Sequence, residues 1–253
     1  VLLETFSQGS SLLHHCDPRV KICIALPFAV TAALLRTFPA AGAALVVSAV
    51  LLFWARLPLS EVLGRLALVN LFILFLWLFL PFSTPGQEIF SLGPLVCTRQ
   101  GLELAGLITL KSNAVVLAIL ALLSTSSLPA LGHALSKLGL PDKLTFLLLI
   151  SYRYLEVIFQ EYHRLQEAAR IRAFRPGTNM HTYRTYGYLL AMVLLNSYER
   201  AQRVYQAMLL RGFQGRFYSL QEFRLTPRDI YFLLGLAVAI CGLLLLDWTP
   251  GLL

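Results

Sequence analysis

Apolar runs of near-span length, separated by short polar stretches, limit this chain more than any other feature. The most lipophilic is Leu66–Leu80, LALVNLFILFLWLFL, closed by Pro81. Similar runs cover Ile22–Leu35, Ala43–Trp54, Glu103–Leu123 and Asp229 or Ile230 to Leu246. A helix needs about 20 mostly apolar residues to cross a bilayer, and in lipid it must satisfy its own backbone polar groups. Composition agrees: 57% of the 253 residues are hydrophobic and 13% charged, about half the charged share of an average soluble domain. The predicted fold class is all-α, a polytopic integral membrane protein. It has about five transmembrane helices plus two long cytoplasmic or interfacial helices.

The connections follow from the breakers. Asp17-Pro18 suits a helix start, with Pro18 at the first helical position. Ile22–Leu35 is short for a full span, so part of its flank should also be embedded. Arg36 to Gly42, with Pro39, reads as a tight turn that makes the first two runs a helical hairpin. Arg56 to Arg65 reads as a polar connection, and Phe82 to Gln100 as a loop rich in Pro and Gly. Trp77 falls near the outer end of its run, where interfacial aromatics gather. From Ser124 to Lys143 the chain is broken, with Pro129 and Pro141 bracketing a short helix. Three regions are expected: a helical bundle at 1–143, a charged helical region at 144–215, and a basic linker with a last span at 216–253.

The middle region is unlike the rest. No proline or glycine interrupts Lys143 to Arg175, a run that could reach about 45–50 Å as a helix. It carries Arg153, Glu156, Glu161, His163, Arg164, Glu167 and Arg170, too many charges to lie in lipid along its length. A second run extends from about Tyr188 to Arg211. Each ends in an arginine between apolar or small neighbours, followed by phenylalanine: Ile171-Arg172-Ala173-Phe174 and Leu210-Arg211-Gly212-Phe213. One such arginine could simply oppose the negative end of a helix dipole. Two parallel cases point to docking, because a guanidinium fork suits a carboxylate or a helix cap on a partner. Phe174 and Phe213 are expected to insert beside the arginines into an apolar groove.

The formal charge is +8. Its basic residues are spread over helix flanks, not set in an aromatic-interleaved patch, so nucleic acid is not an expected partner. They sort by side instead. With a cytoplasmic N-terminus, Arg19, Lys21, Arg56, Arg65 and the segment Lys137 to Arg228 lie inside, while Arg36, Arg99 and Asp247 lie outside. Both long helices are then cytoplasmic, or rise only partly into the lipid bilayer.

Signatures of chemistry are scarce. There is no phosphate-binding GxxxxGK[ST] loop, no GxGxxG after a strand, no HExxH and no GxSxG. Cys16, Cys23, Cys97 and Cys241 are scattered, which supports neither a disulfide framework nor a zinc site. His14-His15-Cys16-Asp17 has metal-ligand types side by side, but adjacent residues seldom close a chelate. Val1 to Phe6 lack the features of a cleavable signal peptide. No catalytic, cofactor or metal residue is assigned, and the chain is not expected to be an enzyme. Lys111 and Asn113 are the polar residues inside a span. Lys111 is a pathway charge, a residue near a helix end, or a partner of Glu103 at the rim. A self-contained secondary transporter or channel would need more such residues. A membrane enzyme would have to use His133, His163 or His181, which lack neighbouring acid or nucleophile patterns.

The sequence resembles the transmembrane (T) component of energy-coupling factor (ECF) transporters, specifically the cobalt-type CbiQ branch. Leu13-His14-His15-Cys16-Asp17-Pro18-Arg19-Val20-Lys21 is similar to that family's LHxLDPRxK motif. The two arginine motifs are similar to its pair of Ala-Arg-Gly elements. The resemblance spans roughly residues 10–245. Ile171 and Ala173 depart from the usual flanks, so only Arg172 carries over safely there, and Cys16 replaces the common leucine. The resemblance implies an ATP-driven importer of the bacterial or archaeal cell (inner) membrane in which this chain is the coupling subunit. Its implied partners are two ATP-binding cassette ATPase subunits and a membrane substrate-binding (S) subunit of CbiM type, with a small CbiN-type subunit left open. ATP is bound by the partner ATPase subunits, and the cargo is cobalt for cobalamin synthesis, or nickel. Docking on the ATPases falls to Arg172, Ala173, Phe174, Leu210, Arg211, Gly212 and Phe213. Asp17, Pro18, Arg19 and Lys21 form a structural or interfacial motif.

Overall fold

In the computed structural model, residues 11, 13–14, 16–92, 95–213 and 226–248 are described. The order is α1 (Pro18–Leu34), α2 (Phe38–Ala55), α3 (Leu59–Ser83), β1 (Glu88–Leu92), β2 (Leu95–Thr98), α4 (Arg99–Leu123), α5 (Leu128–Lys137), α6 (Asp142–Ile171), α7 (Met180–Leu210) and α8 (Pro227–Trp248). Among the described residues, α2, α3, α4 and α8 are long and apolar enough to cross a membrane. The expected fifth, α1, has 17 residues and falls just short. The protein is a helical, polytopic membrane protein.

Several boundaries differ from the sequence reading. Pro39 stands in the first turn of α2 and does not break it, because proline lacks only an N–H that has no partner there. The connection between α2 and α3 shrinks to Arg56–Pro58, and Glu61 and Arg65 lie inside α3. Pro81 does not close α3, which runs to Ser83. So near a helix end, proline removes one hydrogen bond and leaves little helix beyond it to misalign. The segment read as a loop holds a small antiparallel hairpin, Glu88 opposite Thr98 and Leu92 opposite Leu95. Helix α7 starts at Met180, ahead of the start near Tyr188 expected from the sequence.

The chain divides into two compact units, Leu135–Gln221 and Leu2–Ala134 with Glu222–Leu253. In the second of these, α4 is central and packs against α1, α2 and α3, while α8 packs on α1 and α2. One apolar cluster gathers Leu13, Val20, Ile24, Leu51, Leu117 and Leu236; another gathers Phe28, Ala32, Ala40, Ala44, Ala114, Ala118 and Leu243. Small residues let backbones approach, and that is how helices associate where lipid is as apolar as leucine. At Gly101 a Cβ would sit 2.7 Å from the Pro81 Cα, so glycine lets α4 start against the end of α3.

Polar side chains hold this unit at chosen points. Asn70 and Asn113 exchange amide bonds of 3.0 Å between α3 and α4, and Trp77 Nε1 donates to Thr109 Oγ1 at 2.9 Å. Trp77 thus joins two helices besides being an end-of-run aromatic. Asp247 of α8 accepts from the Arg36 and Thr37 amides and the Thr37 hydroxyl, at 2.8, 2.9 and 2.9 Å, and so caps α2 from another helix. Lys111 does not pair with Glu103, which is bound by Arg99 Nε at 3.0 Å. Its Nζ donates to the Ala33 carbonyl at 3.2 Å, in the last turn of α1, where a cation meets the negative helix end. Because α1 is short, that end falls level with the middle of α4.

Candidate functional site

The two arginine motifs are built alike. At the end of α6, Ala173 N–H donates to Arg170 O at 3.0 Å and Phe174 N–H to Ala169 O at 3.1 Å. At the end of α7, Gly212 N–H donates to Leu209 O at 3.0 Å and Phe213 N–H to Met208 O at 3.0 Å. This is the paired closure in which a left-handed residue follows the cap and satisfies the last carbonyls. Arg172 and Arg211 are the caps, with φ/ψ of −80/22° and −89/11°. Ala173 and Gly212 take the left-handed position at φ 62° and 78°. The small residue after each arginine therefore has a backbone reason to be there, independent of any partner.

Both guanidinium-bearing residues are exposed. The phenylalanines are not the outward groups the sequence suggested. Phe174 meets Tyr186 edge-on at 5.8 Å between ring centroids, and Phe213 lies 5.8 Å from the Phe146 ring. Both are half-buried, turned back on their own helical pair. What projects instead is the residue before each arginine: Ile171 is 87% and Leu210 90% exposed.

Helices α6 and α7 are antiparallel, since Phe146 meets Phe213, Glu161 meets Asn196 and Phe174 meets Tyr186. The motifs accordingly sit at opposite ends of the pair. Tyr186 marks the level of the α6 end on α7, and Arg211 is about 25 residues farther on, or about 37 Å along the axis. Midway, Glu161 is 8% exposed. It accepts from Asn196 Nδ2 at 2.8 Å and Arg164 Nη2 at 2.7 Å, with Arg200 at 3.9 Å. The Asn196 amide, with the Arg164 and Arg200 charges, holds the Glu161 carboxyl below the usual carboxylate range. In the sequence, Glu161 is one charge among several on the run. Its partner across the pair is 35 residues away, and nothing local marks it.

The N-terminal motif is a joint in the other unit. Asp17 caps α1, accepting from the Arg19 amide at 2.9 Å, and its own amide donates to Asp229 Oδ1 at 3.2 Å. The second Asp229 oxygen takes the Thr226 amide and hydroxyl at 2.9 and 2.7 Å. Pro18 begins the helix, as its fixed φ allows. Lys21 is wholly buried, donating to Thr125 O, Thr125 Oγ1 and Ser126 Oγ at 3.4, 3.1 and 2.6 Å just past α4. Asp17, Pro18 and Lys21 thus tie the starts of α1 and α8 to the end of α4. Thr125, Ser126 and Asp229 were not found from sequence, because each lies more than a hundred residues from its partner. Burial and the nearby Asp229 carboxylate push the Cys16 thiol up from its ordinary pKa. Among the described residues, no group of three or more His, Cys, Asp or Glu side chains could hold a metal ion. His163 packs edge-on against Phe159 at 4.4 Å.

The family CbiQ, described as "Cobalt transport protein", matches residues 9–221. The energy-coupling factor transporter transmembrane protein EcfT of Heliobacterium modesticaldum is 26% identical over 228 residues, 85% of each chain. EcfT of Thermosediminibacter oceani is 23% identical over 91% of each chain. An uncharacterized protein of Methanocaldococcus jannaschii is 23% identical over 97% of this chain and 86% of its own.

Proposed function

Since this chain belongs to the CbiQ family and is the transmembrane (T) component of an energy-coupling factor transporter, we propose that it couples ATPase subunits to a substrate-binding membrane subunit through α6 and α7. The observation that carries the reading is the duplication of one tip. Two unrelated helix ends close with the same hydrogen bonds and present an exposed arginine on a rigid cap. The tips lie about 37 Å apart along one antiparallel pair. We assign one tip to each of two ATP-binding cassette subunits. ATP is bound by those partners, since this sequence has no phosphate-cradling loop. Residues 144–215 act as the coupling region on the cytoplasmic side, and labelling of a cysteine placed at Thr178 from that side only would agree.

The cargo we propose is cobalt ion, supplied through a CbiM-type subunit, with nickel as the competing ion for uptake assays to separate. This part of the reading leans on the name of the family.

The test is affinity purification in mild detergent with Arg172→Ala, Arg211→Ala and the double variant. Losing one partner of a desolvated charge pair costs about 2–5 kcal/mol. Two tips act as a multivalent attachment, so the double variant loses assembly far more than either single one. Lysine rescues poorly, because an ammonium lacks the planar fork. Co-purification and transport by the double alanine variant would reject docking and leave the arginines as helix caps.

A further inference from the structure

Leu210 at 90% and Ile171 at 87% exposure are the two most exposed large apolar side chains among the described residues. They occupy equivalent places: each is the last residue of its long helix, immediately before the arginine cap. The phenylalanine after each cap is folded back, Phe174 on Tyr186 and Phe213 on Phe146. Each tip therefore offers an aliphatic side chain beside a guanidinium, on a backbone whose last carbonyls are already satisfied.

Chance exposure of one aliphatic residue would need no explanation. Here high exposure recurs at the same position of the same cap, twice; Met180, at the start of α7, is the next most exposed large apolar side chain among the described residues at 85%. Around Ile171 the neighbouring charges in sequence are Arg170, Arg172 and Arg175; beside Leu210 stands Arg211. A binding surface for such a tip is an apolar pocket with a carboxylate at its rim. An aromatic groove alone would leave the guanidinium unpaired on desolvation.

We infer that Ile171 and Leu210 are the inserting, partner-selecting groups of the two tips. Each fills an apolar pocket on an ATPase subunit whose rim carboxylate takes the adjacent arginine. Phe174 and Phe213 are positioning residues that lock the tip onto the helical pair. This rests on the docking reading above and changes which side chains perform it. Branching at Cβ in Ile171 and at Cγ in Leu210 gives the tips different shapes, so the two pockets need not be interchangeable.

The test uses the full chain in nanodiscs, titrated with ATPase subunits from the same organism. Ile171→Ala and Leu210→Ala should each raise Kd roughly ten- to thirtyfold, the amount expected from withdrawing a branched aliphatic group from a pocket. Ile171→Leu and Leu210→Ile should fall between alanine and wild type. Ile171→Gln and Leu210→Gln, which keep good helix formers, should match the alanine variants. Amide exchange at residues 173–174 and 212–213 should stay as in wild type, which separates lost docking from a frayed helix.

If the Ile171→Ala/Leu210→Ala double variant binds within threefold of wild type while the Arg172→Ala/Arg211→Ala variant does not bind, the inserting groups are misassigned and docking stands. If both double variants bind normally, docking itself fails. If the aliphatic variants lose affinity only for empty vesicles of anionic lipid, the two residues enter the bilayer and the inference is overturned.

Discussion

Replacing Ala173 by glycine should strengthen the end of α6, and replacing Gly212 by alanine should weaken the end of α7 by a similar amount. The two positions carry the same backbone role, at φ 62° and 78°, with different residues. A side chain in the left-handed region costs about 1–2 kcal/mol. Glycine avoids that cost but gives back about 0.5–1 kcal/mol in backbone entropy. The difference leaves about 0.5–1 kcal/mol in favour of glycine at either site. A Cβ added at Gly212 meets nothing within 4 Å, so no collision confuses the second substitution. The readout is amide exchange at Phe174 and Phe213, whose N–H groups close the caps by reaching back five residues to the Ala169 and Met208 carbonyls. A shift of that size changes local protection about two- to fivefold, up for Ala173→Gly and down for Gly212→Ala, after correction for intrinsic rates. Movement of both in the same direction would refute the claim that the left-handed residue closes these helices.

Three further outcomes follow from the structure. Lys21→Met strips the donor from three oxygens beyond α4 and should lower stability by about 3 kcal/mol, read as a fall in the detergent melting temperature; wild-type melting would show that the joint is not structural. Asn70→Leu and Asn113→Leu should each cost roughly 1 kcal/mol, and the double variant less than their sum, because each single change strands an amide; simple additivity in a double-mutant cycle would deny the pairing. Glu161 is held below the ordinary carboxylate pKa, so its contribution is complete above the unfolded value of about 4.3 and lost as pH falls through the lower folded value. The α6–α7 pair should loosen with acid below about pH 4, as read by exchange along α7, and Glu161→Gln should remove that dependence; an unchanged acid profile in the variant would contradict it.

The sequence alone was enough for the class of the protein and for the place of its unusual parts. Long apolar runs admit few structures in lipid, since every backbone group must be bonded within the segment. An uninterrupted charged run such as Lys143 to Arg175 is legible as a helix for the same local reason: propensity and the absence of breakers act within a few residues. The arginine motifs were visible as repeated strings, and their helix-terminal position could be read. Boundaries were less legible where a breaker stood near an end. Pro39 and Pro81 read as interruptions, yet near a helix end each costs at most one local bond, which packing outweighs.

Tertiary structure decided what each polar residue is for. Lys111 reads as a charge inside a span, but only the short reach of α1 brings the Ala33 carbonyl to its amine. Lys21 needed Thr125 and Ser126, Asp17 needed Asp229, and Glu161 needed Asn196. None of those pairings leaves a trace in spacing, because they join faces of different helices. The phenylalanines of the two tips are the sharpest case. In the string they follow an arginine and look free to insert. In space, the left-handed residue between them reverses the chain and turns each ring onto a neighbouring aromatic. Ile171 and Leu210, the last residues of α6 and α7, stay exposed before the reversal, an outcome of how the two helices pack that no run of letters displays.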